Sequence, residues 1–398
     1  MLAALLALPL AAGPLLRGAE GVRALAALQS TFTVGLAVWL SARVLLGHLP
    51  LPSRRLLIWA AALATAGAAA AFSSPAGARS LPGLASLLLA LALFPALAEI
   101  SKDERALVDQ ALRVAGWLCA ALALYQRFAL DRPAAAGPFD APEVWCAALV
   151  MLAAPAYERG DRLLLCVLAF CGLVAGGLGA WWGLAAALWL TRGWRAPFWG
   201  RAAAAAAVVC LIVVYNRLGS PELFERARVW RGAAAMVADR PLLGVGPGAF
   251  GALLARYAPG APAAADARLH PLQAAAEWGL PAALLWFAGL WHCLRGGPSP
   301  KRFAALAVLL QSLWDPVFSV PSNLWLFSYL AASSIPETSE GVNVPWRLRP
   351  ALVVAAAVFG LLLAAPGALL RARAERLEKL AWTGGVPTWS SLLERDAR

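Results

Sequence analysis

The chain has 398 residues, 61% hydrophobic and only 14% charged, with a formal net charge of +12. A soluble globular chain carries about 25% charged residues, so this composition speaks against a water-soluble domain. The positive excess is spread over connectors between apolar blocks, which argues against a nucleic-acid partner and for the positive-inside arrangement of membrane proteins.

Apolar blocks recur along the chain, and a bilayer core about 30 Å thick takes about 20 apolar residues per helix. The blocks are continuous and Ala/Leu-rich rather than alternating, so helices are expected and not barrel strands. Spans are predicted at about 1–16, 24–42, 56–73, 82–99, 112–129, 142–157, 163–178, 180–191, 202–216, 279–294, 303–315, 322–335 and 350–370. The first block lacks the basic start of a signal peptide and reads as a short first helix. The short pair 163–178 and 180–191 reads as a hairpin of tilted helices.

Alternate connectors differ sharply in charge. One set holds Arg54, Arg55, Lys102, Arg105, Arg159, Arg162, Lys301 and Arg302 among others, whereas the short connectors of the other set hold Arg17, Arg23, Arg79 and Arg132. The basic set faces the cytoplasm, which puts the N-terminus inside and the long segment 217–278 outside. The expected fold is all-α, a polytopic membrane helix bundle of about 12–13 transmembrane helices. Its parts are N-terminal helices over 1–216, the outer segment 217–278 with short amphipathic helices, C-terminal helices over 279–370 and a polar tail, 371–398.

Tryptophans near span ends, including Trp194, Trp199, Trp230, Trp278 and Trp346, fit an interfacial aromatic belt. Six cysteines lie inside apolar blocks with no CxxC or Cys/His spacing, so neither zinc nor a disulfide framework is indicated.

Segment 217–278 carries the chemistry. Residues 221–239 form an expected amphipathic helix lying on the membrane, with Pro221 in its first turn and an apolar set including Val229, Trp230, Ala233 and Met236. Arg226, Arg228 and Arg231 fall within two turns of it. Such a cluster either solvates at the headgroups or grips a diphosphate, whose oxygens match the guanidinium fork. Gly244, Gly246 and Gly248 then let the backbone turn tightly or approach a ligand; no Gly-Lys-Ser/Thr follows, so this is not a P-loop. His270 is the one histidine of the outer segment, and a neutral imidazole can act as a base near pH 7.

These elements, Arg226-x-x-x-Trp230, Asp239-x-Pro241-Leu-Leu-Gly244-x-Gly246-x-Gly248-x-Phe250, then His270 and Glu277-x-Gly279, resemble the O-antigen ligase and O-antigen polymerase family. The resemblance is sharp over about 220–290, with echoes at Leu124-Tyr125-Gln126, Gly137-Pro138-Phe139, Asp315 and Pro321. It implies a multi-pass glycosyltransferase of the bacterial inner membrane acting on its periplasmic face in cell-envelope polysaccharide or lipopolysaccharide biosynthesis. A glycan would pass from undecaprenyl diphosphate to a sugar hydroxyl of a glycan or lipid acceptor. Arg226 matches the family arginine before the tryptophan, and His270 the family histidine, the catalytic residue of this reading. Arg226, Arg228 and Arg231 would bind the diphosphate, with Trp230, Gly244, Gly246, Gly248, Glu277 and Gly279 supporting. The chain departs from the pattern at Pro271, at Ala282, and at Gly176-Gly-Leu-Gly-Ala-Trp-Trp, where a Ser-Arg pair is common. Asp140 and Glu143 stand where asparagines are common.

The chemistry is coherent by itself. Departure of a lipid diphosphate concentrates charge that fixed arginines stabilise without a metal. No Asp-x-Asp motif occurs, so a metal-bound nucleotide sugar is not indicated and no cofactor is expected. The alternatives are a polysaccharide or lipid transporter, for which charged span centres and internal repeats would speak, and a catalytically inactive membrane scaffold.

Overall fold

The structure is a computed structural model that describes residues 2–16, 22–51, 54–98, 100–132, 136–139, 141–192, 221–262, 264, 266–294, 299–334 and 340–361. The span expected at 202–216, the tail 371–398, Trp194 and Trp199 lie outside the described residues. In chain order come α1 (Leu2–Leu15), α2 (Val22–Leu45), β1 (His48–Leu51), α3 (Arg54–Phe72), α4 (Leu81–Ala98), α5 (Lys102–Phe128), α6 (Pro142–Glu158), α7 (Arg162–Ala175) and α8 (Leu178–Arg192). The second half holds α9 (Pro221–Asp239), α10 (Phe250–Tyr257), α11 (His270–Trp278), α12 (Leu280–Cys293), α13 (Pro300–Gln311), α14 (Pro321–Ser333), β2 (Glu340–Asn343) and α15 (349–361).

Local sequence sets the helix boundaries. Ser101 and Glu104 form a reciprocal capping box at the start of α5, which satisfies two orphan N–H groups and starts this helix ten residues before the predicted span. Asp161 caps α7, which ends on Gly176 in the left-handed conformation. Ser299 caps α13, with Pro300 in its first turn. That helix ends at Gln311, and residues 312–314 turn away, so the predicted span 303–315 is shorter than expected.

Among the described residues the regular structure is helical apart from one antiparallel ladder pairing His48 with Asn343 and Leu51 with Glu340. That ladder joins the connector before α3 to the one before α15, where no strand is expected from the sequence. Ala27–Leu45, Arg54–Phe72 and Lys102–Phe128 are long and apolar enough to cross a membrane. The apolar helices at Leu81–Phe94, Arg162–Ala175 and Leu280–His292 are shorter. The expected spans are therefore not matched one for one. At about 1.5 Å per residue, a helix such as α7 covers only about 21 Å, less than a hydrocarbon core.

One continuous apolar core runs through the bundle, with Phe32, Trp145, Trp325, Phe327 and Tyr329 among its fully buried side chains. α1 packs on α5, α4 on α14, α13 on α8 and α6, and α7 on α6 and α5. Large apolar side chains also point outward: Leu8, Ile58, Phe72, Leu118, Leu163, Leu173 and Leu284 are each more than half exposed. Inside, Lys301 is 5% exposed and pairs with Asp109 at 2.8 Å and Glu158 at 3.2 Å, while the Tyr329 hydroxyl donates to Asp109 at 2.6 Å.

A smaller apolar cluster lies in the outer segment. Val229, Ala233 and Met236 of α9 bury against Val245, Phe250, Leu254, Ala267 and Ala276. The apolar stripe of α9 therefore faces its own segment. This corrects the expectation of a helix lying on the membrane: α10 and α11 supply the partner surface that a lone amphipathic helix would have sought in lipid.

Candidate functional site

Rotation by about 100° per residue separates the three arginines of α9. Arg226 and Trp230, one turn apart, share a face. The Trp230 indole N–H donates to the Ala267 carbonyl at 2.9 Å and its ring meets Trp314 edge-on at 6.2 Å. That anchor holds the Arg226 face of α9 against the loop before α11. Arg228 and Arg231 lie on the other side and are exposed, and Arg228 donates to the Gly260 carbonyl at 3.0 Å. The structure thus does not bring the three predicted phosphate ligands together.

The loop that Trp230 holds carries a second arginine. Asp266 accepts from the Arg268 backbone N–H at 2.9 Å, and Arg268 has a positive φ of 50°. A non-glycine residue pays for that conformation unless its surroundings fix it, and such residues cluster at functional sites. Asp315 lies past the end of α13, buried, accepting from Gln311 Nε2 at 3.0 Å. Gln311 Nε2 also donates to the Glu143 carbonyl at 2.9 Å, at the start of α6. Burial pushes the Asp315 carboxyl up to about 6; the Gln311 bond opposes this, Glu143 adds to it, and the positive charges of Arg226 and Arg268 oppose it. Asp266 is also raised, first by burial, against its bond from Arg268 and a bond to Ser319. Five charged side chains, Glu143, Arg226, Asp266, Arg268 and Asp315, therefore gather where α6, α9, the loop before α11 and the end of α13 meet.

The sequence reading noted Glu143 and Asp315 only in passing, and it missed Asp266 and Arg268. Their signal was faint: Asp266-Ala-Arg268 is a polar interruption in an alanine-rich loop, and only tertiary contact shows what it faces.

The three predicted glycines have another use. Gly244 has φ 64°, and a side chain there would stand 2.5 Å from the Glu277 carbonyl group. Val245 and Gly246 donate their backbone N–H groups to the Ala276 and Glu277 carbonyls at 2.8 and 2.9 Å. On the other side, Ser74 Oγ donates to the Val245 carbonyl at 2.6 Å and Arg240 to that of Ser73 at 2.8 Å. Gly279, with φ 83°, lies against the Leu242 backbone. The loop is thus pressed between the end of α11 and the turn after α3, backbone on backbone, and the glycines serve the tight turn that their spacing allowed.

Glu277 locks that contact. Its buried carboxylate accepts from Gly248 N–H at 2.9 Å, Phe250 N–H at 3.4 Å and Gln273 Nε2 at 3.3 Å. The two backbone donors lie at the start of α10, so Glu277 serves as its N-terminal cap. Burial pushes its pKa up to about 7 against the pull of these donors, with Asp266 adding to the rise.

His270 opens α11 and its backbone N–H donates to the Ser312 carbonyl at 3.0 Å. Its ring is buried among Phe318 at 5.0 Å, Phe287 at 5.9 Å, Trp278 at 6.2 Å and Trp286 at 6.5 Å. Nε2 has no hydrogen-bond partner among the described residues. Burial lowers its pKa to about 4, so the imidazole is neutral at pH 7. The sequence reading expected this ring to face the arginine helix across an open cavity. The structure instead closes it in an aromatic enclosure, because α12 presents Trp286 and Phe287 toward the first turn of α11. Trp278 and Gly279, at the end of α11, complete the corner.

No model of a known protein family matches the chain, and no curated protein matches it.

Proposed function

We propose that the chain is a polytopic glycosyltransferase of the bacterial inner membrane, of the O-antigen ligase or polymerase type. It would move a glycan from undecaprenyl diphosphate to a sugar hydroxyl on the periplasmic face. The single observation that carries this reading is that Trp230 anchors the Arg226 face of α9 against Ala267, beside Arg268, and against Trp314, beside the buried Asp315, so that both arginines act electrostatically on that carboxyl. Two guanidinium groups suit a diphosphate in both charge and geometry. The many exposed large apolar side chains and the three helices of membrane-crossing length support a bilayer setting.

In this reading Arg226 and Arg268 hold the diphosphate and stabilise the charge that collects on it as the glycosidic C–O bond breaks. Asp315, with a pKa near 6, takes the proton of the attacking hydroxyl. The enclosed His270 shapes the corner at Ser312 through its backbone.

Transfer of a lipid-linked glycan by the inserted protein tests these assignments. Arg226→Ala and Arg268→Ala should each abolish transfer, and lysine should rescue poorly because it lacks the bidentate fork. Asp315→Asn should cost about 10²–10⁴-fold in rate, the usual worth of a general base. His270→Phe, which preserves the aromatic enclosure, should stay active. Loss of transfer in His270→Phe with retention in Asp315→Asn would return the base to the histidine. Full activity of Arg226→Ala would remove the diphosphate assignment.

A further inference from the structure

A turn tip that faces water favours Gly, Asn, Asp or Ser. The tip after α9 is built otherwise. The Gly244 N–H donates to the Arg240 carbonyl at 2.9 Å and closes a turn over Pro241, Leu242 and Leu243. All three are exposed, Leu242 by 70%, while residues 244–247 behind them are buried. The apolar stripe of α9 is covered by its own segment, so these leucines form a separate surface.

The turn sits on the start of α12. The Leu280 N–H donates to the Pro241 carbonyl at 2.8 Å, and Gly279 lies against the Leu242 backbone. α12 itself carries an exposed row, Leu280, Leu284, Ala288 and Trp291, at the three-and-four spacing of one helix face. A contiguous apolar surface of this kind marks contact with a membrane or a partner. The helix has 14 residues, about 21 Å at 1.5 Å per residue, so it falls about 9 Å short of a bilayer core.

α3 gives the scale for the height of the turn. Its 19 residues are long and apolar enough to cross a membrane. It packs on α12 and runs the opposite way, since its end meets the turn that lies on the start of α12. The Trp59 indole N–H donates to the Leu285 carbonyl at 2.7 Å. Beyond that bond α3 runs on to Phe72, about 20 Å, whereas α12 reaches back to Leu280 over only about 8 Å. The start of α12 and the leucine turn therefore lie on the order of 10 Å below the end of α3, within one leaflet of the core. At the level of that end, Arg240 donates to the Ser73 carbonyl at 2.8 Å and Ser74 Oγ to the Val245 carbonyl at 2.6 Å. The turn hangs below its own flanks.

We propose that the Pro241-Leu242-Leu243 turn is a membrane anchor, buried among the acyl chains of the leaflet nearest the outer segment. It continues the exposed row of α12 and makes up the height that this helix lacks. Arg240 stands at its rim, with its aliphatic stem along the apolar surface and its guanidinium at the level where α3 ends. Bilayer hydrocarbon is the occupant because the surface is continuous with α12 and set against a helix of membrane-crossing length. The anchor fixes the height of the outer segment over the bilayer, whatever chemistry that segment performs.

Spin labels on single cysteines in a cysteine-free background test this, with the full-length chain in nanodiscs of phosphatidylethanolamine and phosphatidylglycerol. Labels on Leu242→Cys and Leu284→Cys should collide with oxygen, which concentrates in hydrocarbon, several-fold more than with a water-soluble nickel chelate. A label on Ala255→Cys, exposed on α10, should show the reverse preference. The three replaced side chains are exposed, so the thermal unfolding midpoint should not move. Chelate access at 242 equal to that at 255, with 284 in lipid, would overturn the anchor while leaving α12 in the bilayer. Chelate access at both 242 and 284 would take α12 out of the bilayer and the anchor with it. Shielding of 242 from both reagents, with spin–spin broadening that unlabelled chain dilutes away, would assign the turn to a contact between copies and overturn it. Shielding without broadening would place the turn inside the fold and overturn it as well.

Discussion

At the residue scale, two buried titratable groups of the outer segment pull stability in opposite directions with pH. Glu277 has its carboxyl raised from 4.5 to about 7, chiefly by burial. The folded state holds that proton more tightly than the unfolded chain does. The contribution is present below pH 4.5 and is lost as pH rises through 7. His270 is lowered from 6.5 to about 4 by burial. The unfolded chain takes up its proton first, so this contribution is present above pH 6.5 and is lost as pH falls toward 4. Asp315, raised to about 6, shares the sense of Glu277. Thermal unfolding in detergent from pH 4.5 to 7 separates them. Glu277→Gln should move the stability maximum to higher pH than in the wild type, and His270→Phe should move it to lower pH. A maximum that shifts the same way in both variants would show that one of these groups is not buried as described. The sequence singled out both residues, but it could not show their surroundings. Besides Trp278 of its own helix, the partners of His270 come from α12 and from Phe318, and burial by distant elements has no local signature.

At the element scale, α13 links two polar clusters. Its start carries Lys301, locked by Asp109 of α5, Glu158 of α6 and Tyr329 of α14; its end carries Gln311 and leads to Asp315. A buried ion pair adds little net stability against an apolar replacement, but removal of one partner leaves an uncompensated charge. Lys301→Met should therefore cost roughly 3–5 kcal/mol. The double variant Asp109→Leu with Lys301→Met should recover part of that loss, and urea unfolding of both checks it. Equal stability of Lys301→Met and the wild type would show that the network is solvated. The helices themselves were largely legible from their apolar runs, within a few residues for most; the start of α5 was not, because its first turns are charged and the capping box at Ser101 went unread. α9 was placed residue for residue at 221–239. Its partner was not, because an apolar stripe states only that it must be covered, and α10 and α11 cover it only once the glycine loop folds back. The ladder of β1 and β2 was invisible for a related reason. Four-residue strands almost 300 positions apart carry no periodicity to read.

At the scale of the whole molecule, the polar clusters divide by end, and the chain direction fixes which is which. α13 starts beside the Lys301 cluster and ends beside Asp315, so one helix separates them. The first cluster lies among the connectors rich in arginine and lysine, with Lys102, Arg105, Arg159 and Arg162 nearby in sequence. The second adjoins the outer segment, where the connectors are poor in cations. On the proposed function, the positive-inside rule would put the Lys301 end in the cytoplasm and the cluster of Arg226, Arg268 and Asp315 on the opposite side. That orientation is a requirement of the proposed chemistry, since a donor presented on the outer leaflet must meet its diphosphate site there. Single cysteines in a cysteine-free background report it directly. Ala255, exposed on α10, and Lys102, exposed at the start of α5, lie at opposite ends of this division. A membrane-impermeant maleimide applied to intact cells should modify Ala255→Cys and leave Lys102→Cys unmodified until the membrane is opened. Modification of Lys102→Cys alone in intact cells would invert the bundle, placing the arginine cluster where no outer-leaflet donor could reach it, and the glycan-transfer reading would fall at that point.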